Sequence, residues 1–148
     1  MSLQDQISEQ LKAAMKSKDQ AALRTLRSIK AALLLLNTQE GKKEVSAEDE
    51  VAAIVKMAKQ RKDSIAIFEE QGRNDLADKE KEELAILEGF LPKQLSAEEL
   101  KTAVSEIISQ TGASSMKDMG KVMGMASSKL KGQADGKDIA AMVKSLLA

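Results

Sequence analysis

The sequence predicts an all-α, multihelical fold, with a four-helix N-terminal domain over residues 1–91, a linker at 92–95 and a three-helix C-terminal domain over 96–148. Three observations lead there. Helix-forming residues dominate, and Pro92 is the one proline that interrupts them. No stretch alternates apolar and polar residues with β-branched enrichment for long enough to make a strand. Residues that cap helices recur ahead of each apolar stripe of helical period.

In chain order, Ser2 opens a first helix to about Lys16. Asp19 opens a second that carries Leu23, Leu26, Leu33 and Leu34, ended by Gly41 and the charged run to Glu44. Ser46 with Asp49 resembles a capping box, with Asp in place of the usual Glu or Gln. The long helix that follows, to about Gln71, shows Val51, Ile54, Val55, Ala58 and Ile65 as its stripe. Gly72 stops it, Asn74 caps the fourth, and Leu76, Leu84, Leu87 and Leu91 lead up to Pro92. Beyond Pro92, Ser96 and Glu99 make a full capping box for a helix through about Gln110, with Leu100, Val104, Ile107 and Ile108 inward. Gly112 ends that helix. Ser115 with Asp118 opens a sixth helix to about Leu130, closed by Gly132, and Asp135 caps a seventh bearing Ile139, Met142, Val143 and Leu146. Composition shifts at the same boundary: all four Arg and both Phe precede Pro92, whereas five of the eight Gly and five of the eight Met follow it.

What is missing removes whole chemistries. A chain of 148 residues with no Cys and no His has no zinc finger, thiolate nucleophile, disulfide or imidazole base. Two Phe and no Trp or Tyr are too few for a base-stacking surface. The 23 basic and 23 acidic residues cancel, so any attraction to nucleic acid is local. No apolar run approaches the ~20 residues that span a bilayer. Met1 to Gln10 lacks the order of a secretory signal. The expectation is a cytoplasmic protein with no cofactor, no metal site and no membrane partner.

Charge interrupts the apolar stripes of the first domain. Arg27 and Lys30 project at nearly the angle of the leucines on the second helix, Lys62 falls between Ala58 and Ile65 on the third with Arg61 at the edge, and Glu80 and Glu83 break the line on the fourth. Interhelical Arg or Lys to Glu pairing is the favoured account, and a basic groove for phosphate, formed by Arg27, Arg61 and Lys62, is the functional one. Glu82 and Glu83 are taken as lying on an exposed helix, which leaves no isolated acid/base pair. In the second domain, Gly112 to Ala148 holds six Lys against three Asp. Lys117 and Lys121 are four apart, while Lys129, Lys131 and Lys137 surround a Gly-rich turn that opens a helix, a setting able to hold phosphate. Gly120 and Gly124, extended by Ser127 and Ser128, read as a seam where two helices approach closely. Met116, Met119, Met123 and Met142 are expected to fill the small core. Ser114 to Lys117 satisfies S-x-x-K without its companion elements, and the turn at Gly132 lacks the spacing of a P-loop, so neither supports catalysis.

Several segments in fixed order resemble the YqeY family: Gln60-Arg61-Lys62-Asp63-Ser64, Phe68, Gly72-Arg73-x-Asp75-Leu76 and Phe90-Leu91-Pro92-x-Gln94-Leu95-Ser96. Thr111 through Gly124 and Lys131-Gly132-Gln133-Ala134-Asp135-Gly136 continue the likeness. Phe90 stands where Tyr is common, Gln133 where Lys or Arg is common, and Leu33 to Leu36 are more apolar than in the family. The resemblance implies a relation to the tail domain of the B subunit of glutamine-dependent tRNA amidotransferase, a tail that contacts tRNA while chemistry resides in other domains. The first functional expectation is therefore a non-catalytic, tRNA-binding or amidotransferase-associated module. Its nucleic-acid contacts would be Lys117, Lys121, Lys129, Lys131 and Lys137, with Arg27, Arg61 and Lys62. The alternative is an adaptor docking on an amidotransferase or aminoacyl-tRNA synthetase. A third reading, carbon-nitrogen ligase activity with glutamine as amide donor, finds no catalytic machinery in the residues.

Overall fold

A computed structural model describes residues 2–39 and 44–148. The described residues form seven α-helices and one short 3₁₀ turn, and no strand is found among them. The chain divides into two compact units, Met1–Leu91 and Pro92–Ala148.

In the first unit, α1 (Leu3–Ser17) begins at a complete capping box between Ser2 and Asp5. It ends where Lys18 turns left-handed at φ 58°, so that Asp19 caps α2 (Gln20–Thr38) at once. The two helices thus make a tight hairpin. Gly41, expected to end α2, lies outside the described residues. Ser46 and Asp49 close a reciprocal capping box on α3 (Ala47–Glu70), so Asp serves at this position as Glu would. Gly72, at φ +72°, takes the left-handed turn that reverses the chain into α4 (Asn74–Glu88). Asn74 is already helical there, and no side chain caps this end. The core joins Ile7, Ala14, Leu23, Leu26, Ile29, Leu33, Ile54, Ala58 and Leu87. Of the Leu33 to Leu36 run, Leu33 is buried and Leu36 half-buried, but Leu34 and Leu35 are 63% and 64% exposed.

In the second unit, α5 (Ala97–Thr111) starts at the Ser96–Glu99 box. The Ser96 backbone N–H, its hydroxyl and then the Lys93 ammonium hold the Glu99 carboxyl below the usual glutamate range. Gly112 at φ 69° ends the helix left-handed. The 3₁₀ turn at Met116–Asp118 leads into α6 (Met119–Lys129), and α7 (Gly136–Leu147) completes the unit. Ser115, expected with Asp118 to open the sixth helix, precedes the 3₁₀ turn and its side chain makes no capping bond, while the Ser114 N–H donates to Asp118 Oδ2 at 3.1 Å. Asp135 occupies the cap position of α7, but its side chain accepts no capping bond. All three helices pack on one another around Leu100, Val104, Ile107, Val122, Ala126, Leu130, Ile139, Val143 and Leu147, with Met119, Met123, Met125 and Met142 half-buried at the margins. Met116 stays 42% exposed, outside the core expected for it.

Candidate functional site

The charges of the first unit converge on one carboxylate. Glu83, with a side chain 10% exposed, is buried rather than lying on an open helix face. Arg24 Nε donates to its Oε1 at 2.8 Å, and Arg61 Nε sits 2.8 Å from its Oε2. The Arg61 contact is electrostatic, since the N–H is not aligned as a hydrogen bond, and Glu80 Oε2 lies 3.4 Å from the same nitrogen. Three helices are therefore tied through a single carboxylate. Arg61 is occupied by this pairing. Lys62 is half-buried beside it in sequence, and Arg27 is exposed on α2 with no carboxylate partner among the described residues. The three do not make a phosphate groove. The sequence reading missed Arg24, because leucines alone misplace the inward face of α2: the buried set also includes Thr25 and Ile29. Arg73, another exposed cation, forks onto Asp75 with two bonds of 3.1 Å, an arrangement that raises the guanidinium pKa and lowers that of the carboxyl.

The second unit displays its lysines. Lys117, Lys121, Lys131 and Lys137 are exposed and have no carboxylate partner among the described residues, while Lys129 Nζ donates to the neutral Gln110 Oε1 at 2.7 Å. They form two groups. Lys117 and Lys121 stand at the start of α6, and Lys129, Lys131 and Lys137 flank the turn between α6 and α7, roughly 12 Å further along the helix axis. Between the groups lies a face that the sequence reading placed wrongly. Gly120 and Gly124 were expected in a packed seam, yet both are exposed and a Cβ at either would meet no atom within 4 Å. The reason is phase: Val122 and Ala126 take the inward side of α6, half a turn from the glycines. Ser127 and Ser128 continue this open, low-relief strip.

The turn beside it is held from a distance. Gln94 Nε2 donates to the Gly132 carbonyl at 2.6 Å and to the Pro92 carbonyl at 2.9 Å, and the Leu95 N–H donates to the Gln133 carbonyl at 2.9 Å. Residues 92–95, read as a linker, are thus bonded into the lysine-bearing turn. Gln133 contributes through its backbone carbonyl, so this contact needs no charge on its side chain. Gln94→Ala is expected to destabilise the second unit by about 1 kcal/mol, one hydrogen bond to the partly buried turn and one exposed local bond to Pro92 being lost. Faster amide exchange at Gln133 and Ala134 checks it; unchanged exchange there refutes the anchoring role.

Among the described residues no three carboxylates come together to hold a metal ion, and no helix is long and apolar enough to cross a membrane. What the fold and the site define is a two-unit, all-helical protein that presents an uncompensated lysine surface on a three-helix C-terminal unit. The chain belongs to the YqeY family: residues 4–147 match the family described as Yqey-like protein. Two relatives share the name "Altered inheritance of mitochondria protein 41, mitochondrial". The protein from Candida glabrata is 36% identical over 110 residues, covering 70% of this chain and 59% of the relative. That from Pyrenophora tritici-repentis is 30% identical over 132 residues, covering 84% and 68%. The chain therefore spans less than two thirds of the first relative's own length. The cytoplasmic expectation is corrected here, because both relatives are mitochondrial by name. The order sought in Met1 to Gln10 was that of a secretory signal, which carries no information on mitochondrial targeting, since transit peptides are amphipathic and rich in Arg and Ser.

Proposed function

We propose that the C-terminal unit binds the backbone of a structured RNA, with tRNA as the substrate class and an amidotransferase-type assembly as its setting. The observation that carries this reading is the open glycine strip of α6 beside unpaired lysines. Glycine inside a helix costs roughly 1 kcal/mol relative to Ala. Gly124 occupies such a position and Gly120 the first turn of the same helix, and no neighbouring atom within 4 Å requires either to lack a side chain. A smooth backbone strip instead lets an outside surface come close, while Lys117, Lys121, Lys129 and Lys131 meet phosphates around it. Shape rather than base identity would be read, consistent with the shortage of aromatic rings. The likeness of the family to the amidotransferase tail supports the tRNA assignment.

The test is binding of purified tRNA at low salt. Lys117→Ala/Lys121→Ala and Lys129→Ala/Lys131→Ala should each weaken it, and each pair should flatten the salt dependence by roughly 1.5 to 2 in log–log slope. Gly120→Ala/Gly124→Ala should raise thermal stability yet weaken binding, an opposition that a packing role for these glycines does not produce. No binding, or binding that none of these changes alters, refutes the proposal.

A further inference from the structure

A second surface lies on the first unit, between α1 and α2, apart from the lysines discussed above. A cavity of about 110 Å³ opens there, floored by Ile7 and Leu33 and walled by Leu34, with Gln4, Ser8, Lys30 and Asn37 around it. A volume of this order admits one aliphatic side chain. Helical spacing extends the lining along both helices. Leu34 follows Lys30 by one turn and Arg27 by two, and on α1 Met15, 53% exposed, follows Ser8 by two.

Among the described residues that line the cavity Lys30 is the charged one, and Arg27 stands one turn before it on α2. Of the four Arg, Arg24, Arg61 and Arg73 are paired with carboxylates, and Arg27 is the one that is not, among the described residues. Lys30 is likewise exposed and unpaired. Among the described residues, none that lines the cavity is a carboxylate. The groove thus offers an apolar socket beside two cations that are unpaired among the described residues, and its complement is an aliphatic anchor with carboxylates one turn away. Concavity between two helices favours a helix over a flat lipid surface, because an amphipathic helix lays its anchors into such a groove at i, i+3, i+4 and i+7.

We propose that the α1–α2 groove docks an acidic amphipathic helix of a partner protein, its aliphatic anchor entering the cavity of Ile7, Leu33 and Leu34 and its carboxylates pairing with Arg27 and Lys30. The probe is a synthetic Ala-based helical peptide with Leu at i and i+7 and Glu at i+3 and i+4, titrated into the full chain by NMR. Its control has Lys in place of Glu. Amide shifts at Ile7, Leu33 and Leu34 are expected with the acidic peptide. Affinity should fall on the order of ten-fold for Arg27→Glu/Lys30→Glu. The same double variant should gain affinity for the Lys peptide, and since both residues are exposed it should keep its melting temperature. Equal binding of both peptides by the unaltered chain overturns the proposal, as does an absence of shifts at millimolar acidic peptide. Shifts of the same residues with protein concentration alone would assign the groove to a second copy of the chain, and protection by anionic phosphatidylglycerol vesicles without peptide binding would assign it to lipid. Either result overturns the proposal as well.

Discussion

Glu83→Ala is expected to destabilise the N-terminal unit by about 2–3 kcal/mol, the largest effect of any charged substitution in the chain. Removing one partner of a buried pair costs about 3–5 kcal/mol, because the other charge is left desolvated and unpaired. The lower figure applies here because the partners are only partly buried: side-chain exposure is 22% at Arg61 and 37% at Arg24. Both guanidiniums lose their shortest contact at once, and Glu80 and Glu82, at 3.4 and 4.0 Å, replace it poorly. Urea unfolding with an unchanged slope reads the loss directly. A loss below 0.5 kcal/mol, the range expected of exposed Arg27→Ala, would refute the central role of Glu83. A companion variant separates charge from packing. Replacing Glu80, Glu83, Arg24 and Arg61 together by apolar residues of similar volume should recover most of the stability, since a buried ionic cluster exchanges with an apolar one at little net change.

The sequence disclosed what depends on near neighbours. The boxes at Ser46–Asp49 and Ser96–Glu99 span three residues, and each forms because the side chain and the backbone N–H groups it bonds lie within one turn. Ser115 and Asp118 have the same spacing but form no such box, since the chain enters through a 3₁₀ turn and the Asp118 carboxylate accepts from the Ser114 N–H. Helix phase was legible only in part. Counting leucines on α2 left out Thr25 and Ile29, so Arg27 was placed where Arg24 stands, and on α6 the small residues were put inside when Val122 and Ala126 had already filled that side. Charge interrupting the stripes did signal interhelical pairing, and that pairing is observed with Glu83 at its centre. The least legible feature was the bond from Gln94 to Gly132. It joins residues 38 apart in the chain, a separation over which spacing carries no information. Of the candidate nucleic-acid residues, the five lysines of the second unit remain presented, and Arg61 is drawn into the internal network.

The second large effect is expected at Ile139, which is 2% exposed and packs in the core of the three-helix unit. Ile→Ala in a core costs about 2–5 kcal/mol through lost burial and the cavity left behind. A domain of about 60 residues has about 3–5 kcal/mol to lose, so Ile139→Ala should leave Pro92–Ala148 largely unfolded at 37 °C. Met142→Leu, which preserves volume at a half-buried position, should cost less than about 1.5 kcal/mol. Both Phe precede Pro92 and there is no Trp or Tyr, so aromatic absorbance is blind to this event and amide exchange is the measurement. Exchange in Ile139→Ala should accelerate at Val104, Val122 and Val143 while the amides of α1 to α4 keep their protection. That division is what a four-helix and a three-helix domain require. Loss of protection throughout the chain would instead make it one cooperative unit and remove the two-domain organisation. The same variant bears on function, because tRNA binding carried by α6 should vanish with the unit's protection, whereas binding that survives it would move the RNA contact off the C-terminal helices.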